Sequence, residues 1–232
     1  MTRLAPCLLA CLFVGCAETQ LAPAVSPEAL RQRAAGLRAA GKTEESARLY
    51  VRAIGAQPTD TRDGRAASAD LRRELASLRI SADDLAGAEM LYREALTLLE
   101  TAPRGSDAAI INLRTQLAGL CYRQSRLDEA AEFYRAALAL EVSLLGETHP
   151  DPLGTMSILG GLELKRGKLT EAETLFRRQL RGVQQVHGAE KREAASVLDN
   201  LADVLDKAGQ TAEATHLRAE AARIRRKLCE EC

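Results

Sequence analysis

One short pattern recurs along this chain at a constant spacing of 42 residues. It consists of a small residue, an aromatic residue four positions later, a second small residue three positions after that, and then an aliphatic residue. The clearest copy lies in Leu127–Leu138. The small residue that opens each copy is Ser46, Ala88, Ala130, Ala172 or Ala214. Five copies in one phase indicate an array of repeats, in which each unit buries its hydrophobic face against the next unit.

The composition indicates that the repeated unit is helical. Hydrophobic residues make up 46% of the chain, but aromatic residues only 3%, and tryptophan is absent. Alanine, leucine, arginine and glutamate dominate, and these residues favour helices. We therefore expect an all-α solenoid of about five antiparallel helix pairs, with each pair joined by a tight turn.

The positions of glycine and proline divide the repeat array, predicted at 27–228, into five units. A tether (16–26) precedes the array and a tail (229–232) follows it. The predicted units are 27–60, 66–104, 107–147, 153–188 and 190–228. The predicted helices are 27–40 and 44–56, 66–81 and 84–101, 107–124 and 128–145, 153–165 and 170–187, and 190–207 and 211–228. We expect Gly64 to lie in a loop, and we expect Pro150 and Pro152 to lie outside helices because helix interiors do not tolerate proline.

The first fifteen residues are predicted to be a signal peptide. A short basic start is followed by the apolar run Leu4–Val14, which is shorter than the roughly 20 residues that span a bilayer. The segment Phe13–Cys16 resembles the lipobox of bacterial lipoproteins, although the usual first residue is leucine. This resemblance implies lipidation of Cys16 and a location in the cell envelope, facing the periplasm from the outer membrane. Ordinary cleavage near Ala17 or Ala22 would instead give a soluble exported protein, and an uncleaved segment is the third alternative.

The repeat resembles the tetratricopeptide repeat. The residues that carry this resemblance in the third unit are Leu117, Ala118, Ala130, Tyr134, Ala137 and Leu138. The usual length of that repeat is about 34 residues, and the longer period here is similar to the kinesin-light-chain-like subtype. The loops around His149 and His187 resemble that subtype as well. The resemblance implies a right-handed superhelix that acts as a protein-interaction scaffold, with a concave groove for an extended peptide or a partner helix.

The family resemblance places the groove on the first helix of each unit. The subtype often has paired asparagines before the Leu-Ala pair, but here only Asn200 matches. The groove is predicted to be basic in units one and two, apolar in units three and four, and acidic in unit five, which would orient a charged segment. The predicted groove residues are Arg31, Arg38, Arg73, Gln116, Tyr122, Ile158, Leu164, Lys165, Asp199, Asn200, Asp203 and Asp206. The alternative is that these side chains form solvated helix faces that bind no ligand.

Several functional classes have no support in the sequence. The 32 basic and 32 acidic residues balance, so no overall positive field favours nucleic acid. We find no nucleophile motif and no phosphate-binding loop. The three histidines are not spaced as metal ligands. We therefore expect a protein without enzymatic activity, cofactor or metal, which binds a protein or peptide and meets the membrane only through its N-terminal lipid.

The remaining cysteines leave one further hypothesis open. Cys229 and Cys232 could form a local disulfide, form bridges between copies, or remain free thiols, and an exchanging pair would indicate a redox-linked accessory protein. Cys121 occupies a packing position and is predicted to be a small buried hydrophobic residue. Arg218 stands where the other units have an aromatic residue, which predicts a polar outer face that caps the array.

Overall fold

The computed structural model describes residues 25–101, 106–188 and 192–230, and within these ranges it contains ten α-helices and no strand. The predicted signal peptide, Cys16, most of the tether, and Cys232 lie outside the described residues. The helices are α1 (Pro27–Ala39), α2 (Thr43–Ala56), α3 (Arg62–Ser81), α4 (Leu85–Glu100), α5 (Asp107–Arg123), α6 (Leu127–Leu145), α7 (Pro150–Lys165), α8 (Leu169–His187), α9 (Arg192–Lys207) and α10 (Thr211–Glu230).

The helices form five consecutive pairs, and each helix packs mainly on the helices before and after it in the chain. Two large hydrophobic clusters fill the array, one in units one to three and the other in units three to five. Phe133 on α6 packs against both clusters, so the core continues through the middle unit. This architecture confirms the predicted all-α solenoid.

Small residues allow the two helices of each pair to approach closely. Ala76 and Ala88 in unit two, and Ala118 and Ala130 in unit three, have no exposed surface. The aromatic residue of the pattern is buried beside them in the first four units, at Tyr50, Tyr92, Tyr134 and Phe176. A β-carbon at Gly160 would lie 2.8 Å from the Phe176 ring, so this pair requires glycine where the other units have alanine.

The turn within each pair places one residue in the left-handed region of backbone conformation. The five residues follow the same phase as the repeat, and their φ angles are 76° at Gly41, 58° at Asp83, 63° at Ser125, 75° at Gly167 and 79° at Gly209. Left-handed residues commonly end helices, and glycine adopts this conformation without a steric cost. Units two and three therefore carry backbone strain that the other units avoid.

Two helices begin earlier than the sequence predicted. Helix α3 starts at Arg62 instead of 66, because the Thr61 hydroxyl accepts a hydrogen bond from the Gly64 N–H and caps the helix. Helix α7 starts at Pro150 instead of 153, and Pro152 lies in its first turn. The first-turn N–H groups of a helix have no intrahelical acceptor, so prolines are tolerated there.

The C-terminal tail was also predicted too long. Helix α10 continues to Glu230, so the exposed Cys229 lies within a helix and not in a separate tail. Among the described residues, no helix is long and apolar enough to cross a membrane.

Replacing Ser125 with glycine should stabilise the protein. A non-glycine residue in the left-handed region costs about 1–2 kcal/mol, and the greater flexibility of unfolded glycine offsets part of the gain. We expect the free energy of unfolding to rise by about 0.5–1 kcal/mol, measured by urea denaturation. Asp83→Gly should raise the free energy of unfolding by a smaller amount, because aspartate tolerates the left-handed conformation better than serine does. A loss of stability in Ser125→Gly would contradict this account of the turns.

Replacing Gly160 or Gly161 of α7 with alanine should change the free energy of unfolding in opposite directions. Gly160→Ala should lower the free energy of unfolding by about 1 kcal/mol, since overpacking against Phe176 outweighs the gain in helix propensity. Gly161→Ala should raise it by about 0.5–1 kcal/mol, because a β-carbon there has no neighbour within 4 Å. Thermal unfolding of both variants tests this pair, and equal effects would show that Phe176 moves aside.

Candidate functional site

An open trough runs along the array between α5 and α7, and we call it the central trough. It consists of two hollows of about 430 Å³ and about 570 Å³, and Ile158 lines both. The first hollow lies beside Tyr122, and the second extends to the first turn of α7, with the C-terminal end of α6 as one wall. Residues that line the trough include Asn112, Gly119, Tyr122, Glu141, Leu144, Leu145, Asp151, Thr155, Ile158 and Gly161.

The central trough combines apolar walls with open space. Tyr122 is 44% exposed and Ile158 is 51% exposed, although both are large apolar side chains. A β-carbon added at Gly119 or at Gly161 would have no neighbour within 4 Å, so the lack of a side chain at these positions leaves the first hollow open. The sequence predicted this apolar middle, and in the structure Tyr122 of α5 and Ile158 of α7 line one cavity.

Lys165 packs against Tyr122, which lines the first hollow. Its Nζ lies 4.5 Å from the centre of the Tyr122 ring and donates a hydrogen bond of 3.1 Å to the Tyr122 hydroxyl. A cation at this distance is attracted to the aromatic ring. Among the other residues predicted for this part of the groove, Gln116 is exposed and Leu164 is half-buried against the core.

The basic residues predicted for units one and two already have partners within the chain. Arg31 forms an ion pair of 2.7 Å with Glu74, and Arg73 forms one of 3.2 Å with Asp70. Arg38 donates a hydrogen bond of 3.0 Å to the Ser77 hydroxyl.

The Glu74 carboxylate is the centre of this part of the inner surface. Burial favours its neutral form, but hydrogen bonds from Tyr50 and Arg31 outweigh burial and lower the pKa of Glu74. Burial, followed by the hydrogen bond to Glu74, raises the pKa of Tyr50. Much of the predicted basic charge is therefore used to join units one and two.

The aspartates predicted for unit five also have partners, and these partners come from the last helix. Arg218 pairs with Asp206 and lies 2.7 Å from Asp203, while Arg225 pairs with Asp199. Asn200 is half-buried beside them on α9. These ion pairs join α9 and α10 within unit five. The predicted charge gradient is thus largely neutralised within the chain, and the central trough remains the main candidate site.

The structure also brings together a cysteine and two glutamates that sequence reasoning did not connect. Ligand atoms of Glu89, Cys121 and Glu129 lie within 4.8 Å of one another, as in a metal site. The Arg126 guanidinium occupies this cluster, with hydrogen bonds of 3.0 Å to Glu89 and 2.6 Å to Glu129. Burial raises the pKa of the Cys121 thiol, which makes thiolate ligation less favourable. The cluster is therefore better described as an ion-pair clamp between units two and three.

Sequence reasoning missed the α6 wall of the central trough. Glu141, Leu144 and Leu145 line the second hollow from the second helix of unit three, whereas all predicted groove residues were on first helices. The 42-residue spacing does single out Glu141, because the residues one repeat before and one repeat after it are Leu99 and Val183. A carboxylate at a position that is aliphatic in neighbouring units indicates a local departure from stacking.

The structure locates His149, Cys121 and Cys229. His149 caps α7, and its Nδ1 accepts a hydrogen bond of 3.2 Å from the Asp151 N–H. Cys121 is buried, in agreement with its predicted packing role. Cys229 is exposed, and the other cysteine of the candidate pair, Cys232, lies outside the described residues.

Comparison with known proteins identifies the repeat. Models described as "Tetratricopeptide repeat" match residues 111–151 and 151–227, which together make up half of the chain. None of the curated proteins compared with the chain matches it. The matches indicate a repeat typical of interaction scaffolds and indicate no enzyme family.

Solved structures show the same fold. The nearly identical TPR-like repeats of a candidate kinesin light chain from Podosopora anserina share 18% identity, with a TM-score of 0.68, over 87% of this chain and 95% of that chain. BtubC (BKLC) from P. vanneervenii shares 22% identity, with a TM-score of 0.51, over 86% of this chain and 92% of that chain. The MamA protein shares 12% identity, with a TM-score of 0.62, over 88% and 94%. At these identities the likeness concerns the fold alone.

The Glu89–Arg126 clamp should make stability depend on pH. The hydrogen bond from Arg126 lowers the pKa of Glu89 below its ordinary value of 4.5. The stabilisation is therefore complete above pH 4.5 and is lost as the pH falls through the lowered value. Glu89→Gln should reduce the free energy of unfolding by about 1–2 kcal/mol at neutral pH, and this difference should shrink at about pH 3.5.

Urea denaturation at the two pH values measures this effect. Glu132→Gln is the matched control, because Glu132 is an exposed glutamate on α6, and it should change stability little at either pH. An equal loss of stability in Glu89→Gln at both pH values would contradict an ionic contribution.

Proposed function

This chain belongs to the tetratricopeptide repeat family, and we propose that it is an interaction scaffold whose central trough binds a segment of a partner protein. The observation that carries the proposal is the continuity of the trough through Ile158, which lines both hollows. Repeat solenoids commonly use such extended inner surfaces for binding. The proposal requires no enzymatic step, cofactor or metal.

The exposed apolar residues support a protein segment as the ligand. Tyr122, Leu144, Leu145 and Ile158 are each more than two-fifths exposed, and all four line the same trough. Exposed apolar residues that cluster on one surface mark binding sites, whereas scattered ones are common. Full burial of one such side chain contributes about 1.5–3 kcal/mol, so two or three contacts could support a specific complex.

The polar residues along the trough support recognition of a backbone or polar side chains. Asn112 and Thr115 line the second hollow, and Ser157 lines the first. Their amide and hydroxyl groups can donate and accept hydrogen bonds next to the apolar contacts. An extended segment or one face of a helix can satisfy both kinds of contact.

We further propose that the scaffold is attached to the cell envelope through lipidated Cys16, facing the periplasm. The support is the sequence alone, namely the apolar run Leu4–Val14 followed by the lipobox-like Phe13–Cys16. Metabolic labelling with palmitate should mark the wild-type chain and leave Cys16→Ala unlabelled. Equal labelling of both chains would exclude Cys16 as the lipid site, and an unlabelled wild-type chain would favour a soluble exported form.

Substitution in the middle of the central trough should weaken partner binding without unfolding the array. Ile158→Asp places a charge between the two hollows, and we expect partner affinity to fall by about tenfold or more. The position is half-exposed, so the melting temperature should change little. Partners captured from membranes by the full wild-type chain should be depleted with Ile158→Asp, and their affinity should then be measured with purified proteins.

Met90→Asp is the matched control for this experiment. Met90 is 58% exposed on α4 and does not line the trough, so the substitution introduces the same charge on another surface. It should leave partner capture unchanged. Equal capture by Ile158→Asp and wild type would show that the partner binds elsewhere.

A further inference from the structure

Glu141 is an ionisable residue at a position that is occupied by a buried aliphatic residue in the neighbouring units. The equivalent residues in the neighbouring units are Leu99, which is 3% exposed, and Val183, which is 5% exposed. Glu141 is itself only 5% exposed, so the carboxylate replaces an aliphatic side chain without moving into solvent. Sequence phase and burial therefore agree that the position belongs to the core.

One oxygen of the Glu141 carboxylate is left without a hydrogen bond by the part of the chain that the structure describes. This atom, Oε2, is buried and has no hydrogen-bond partner among the described residues. Burial of a charged or polar group without a partner destabilises a protein substantially. Thr155 on α7 lines the same hollow and replaces an aliphatic residue too, since Leu113 and Val197 occupy its position in adjacent units. Two polar groups thus face one hollow where stacking alone would favour aliphatic residues.

The charges around the second hollow have one sign. Among the described residues that line it, Glu141 and Asp151 are acidic, and none is a lysine or an arginine. The remaining walls include the exposed aliphatic side chains of Leu144, Leu145 and Ile158. A ligand that complements this surface carries a positive charge at the end of an apolar stem, as lysine and arginine side chains do.

We propose that the second hollow of the central trough receives a lysine or arginine side chain from the bound partner segment, with Glu141 accepting its charged hydrogen bond. The aliphatic stem packs on Leu144, Leu145 and Ile158, and Asp151 adds negative charge at the rim. This inference rests on the proposed function, because it assigns one residue of the segment that the trough binds. It gives the unpartnered carboxylate a role that stacking does not explain.

The equivalent hollow one unit earlier provides an internal comparison. It measures about 430 Å³ and is lined by Leu99 at the position of Glu141, while its acidic residue Asp70 is paired with Arg73. The same backbone framework can therefore accept an aliphatic side chain at this position. Glu141→Leu reproduces the arrangement of unit two, and Glu141→Gln keeps the shape of the side chain but removes its charge.

The first measurement is the stability of the free, full chain. If Glu141 serves a ligand and not the fold, Glu141→Leu should raise the melting temperature by about 3 °C or more, since it removes an unsatisfied buried carboxylate. A lower melting temperature in Glu141→Leu would show that the carboxylate stabilises the fold, which would overturn the proposal.

The second measurement compares four pools of capped heptapeptides with the full chain. The central residue is lysine, arginine, norleucine or glutamate, its two neighbours are leucine, and the outer positions are mixtures of uncharged residues. Retention after equilibrium dialysis is measured by mass spectrometry. The wild-type chain should retain the lysine or arginine pool about tenfold more strongly than the norleucine pool, and the glutamate pool least. This preference should be lost in both Glu141→Leu and Glu141→Gln.

The outcomes separate this inference from the proposed function. Equal retention of the lysine, arginine and norleucine pools, reduced by Ile158→Asp, would overturn the cation site and leave the trough as a binding surface. A lysine or arginine preference that survives in Glu141→Leu would also overturn the role of Glu141. If the wild-type chain retains no pool, the peptide-binding trough and the cation site are both wrong.

Discussion

The close contact between small residues in each helix pair determines the rest of the structure. Ala118 and Ala130 have no exposed surface, and their short side chains let α5 and α6 approach. This approach buries Tyr134 beside them, so that it can pack towards the next unit. At Phe176 the aromatic ring lies so close that the facing residue is Gly160, where a β-carbon would be 2.8 Å from the ring. The same geometry, repeated in phase, produces a solenoid in place of a single enlarged core.

The helix pairs could be predicted because every unit repeats the same chemistry, and errors occurred where one unit departed from it. Pro150 and Pro152 suggested a break, but they lie in the first turn of α7, where a missing N–H has no consequence. Gly64 suggested a loop, but the Thr61 hydroxyl accepts a hydrogen bond from its N–H and begins α3. In both cases capping chemistry at a helix start outweighed the residue's general preference, and a repeat pattern does not reveal such local contacts.

The candidate site was less predictable than the fold, because its charges depend on partners from other helices. Asp203 and Asp206 have the composition of an acidic binding surface, yet Arg218 of α10 forms ion pairs with both and offsets part of their charge. Tyr122 and Ile158 depend less on charged partners: both are exposed and line one hollow, with Lys165 stacked on the Tyr122 ring. The charge of a groove therefore cannot be predicted from one helix alone, because facing helices can supply ion-pair partners. The apolar character of a groove depends less on those helices.

The length of the repeat also affects where the site lies. A period of 42 residues exceeds the roughly 34 of the ordinary tetratricopeptide repeat. The additional residues lengthen each of the two helices of a unit by about one turn. The second hollow lies at these extended ends, between Leu145 at the end of α6 and Pro150 at the start of α7. The proposed binding surface therefore includes the second helix of unit three, although such helices mainly stack the units. Glu141 lies on that helix, so a single residue there can alter binding and stacking in opposite directions.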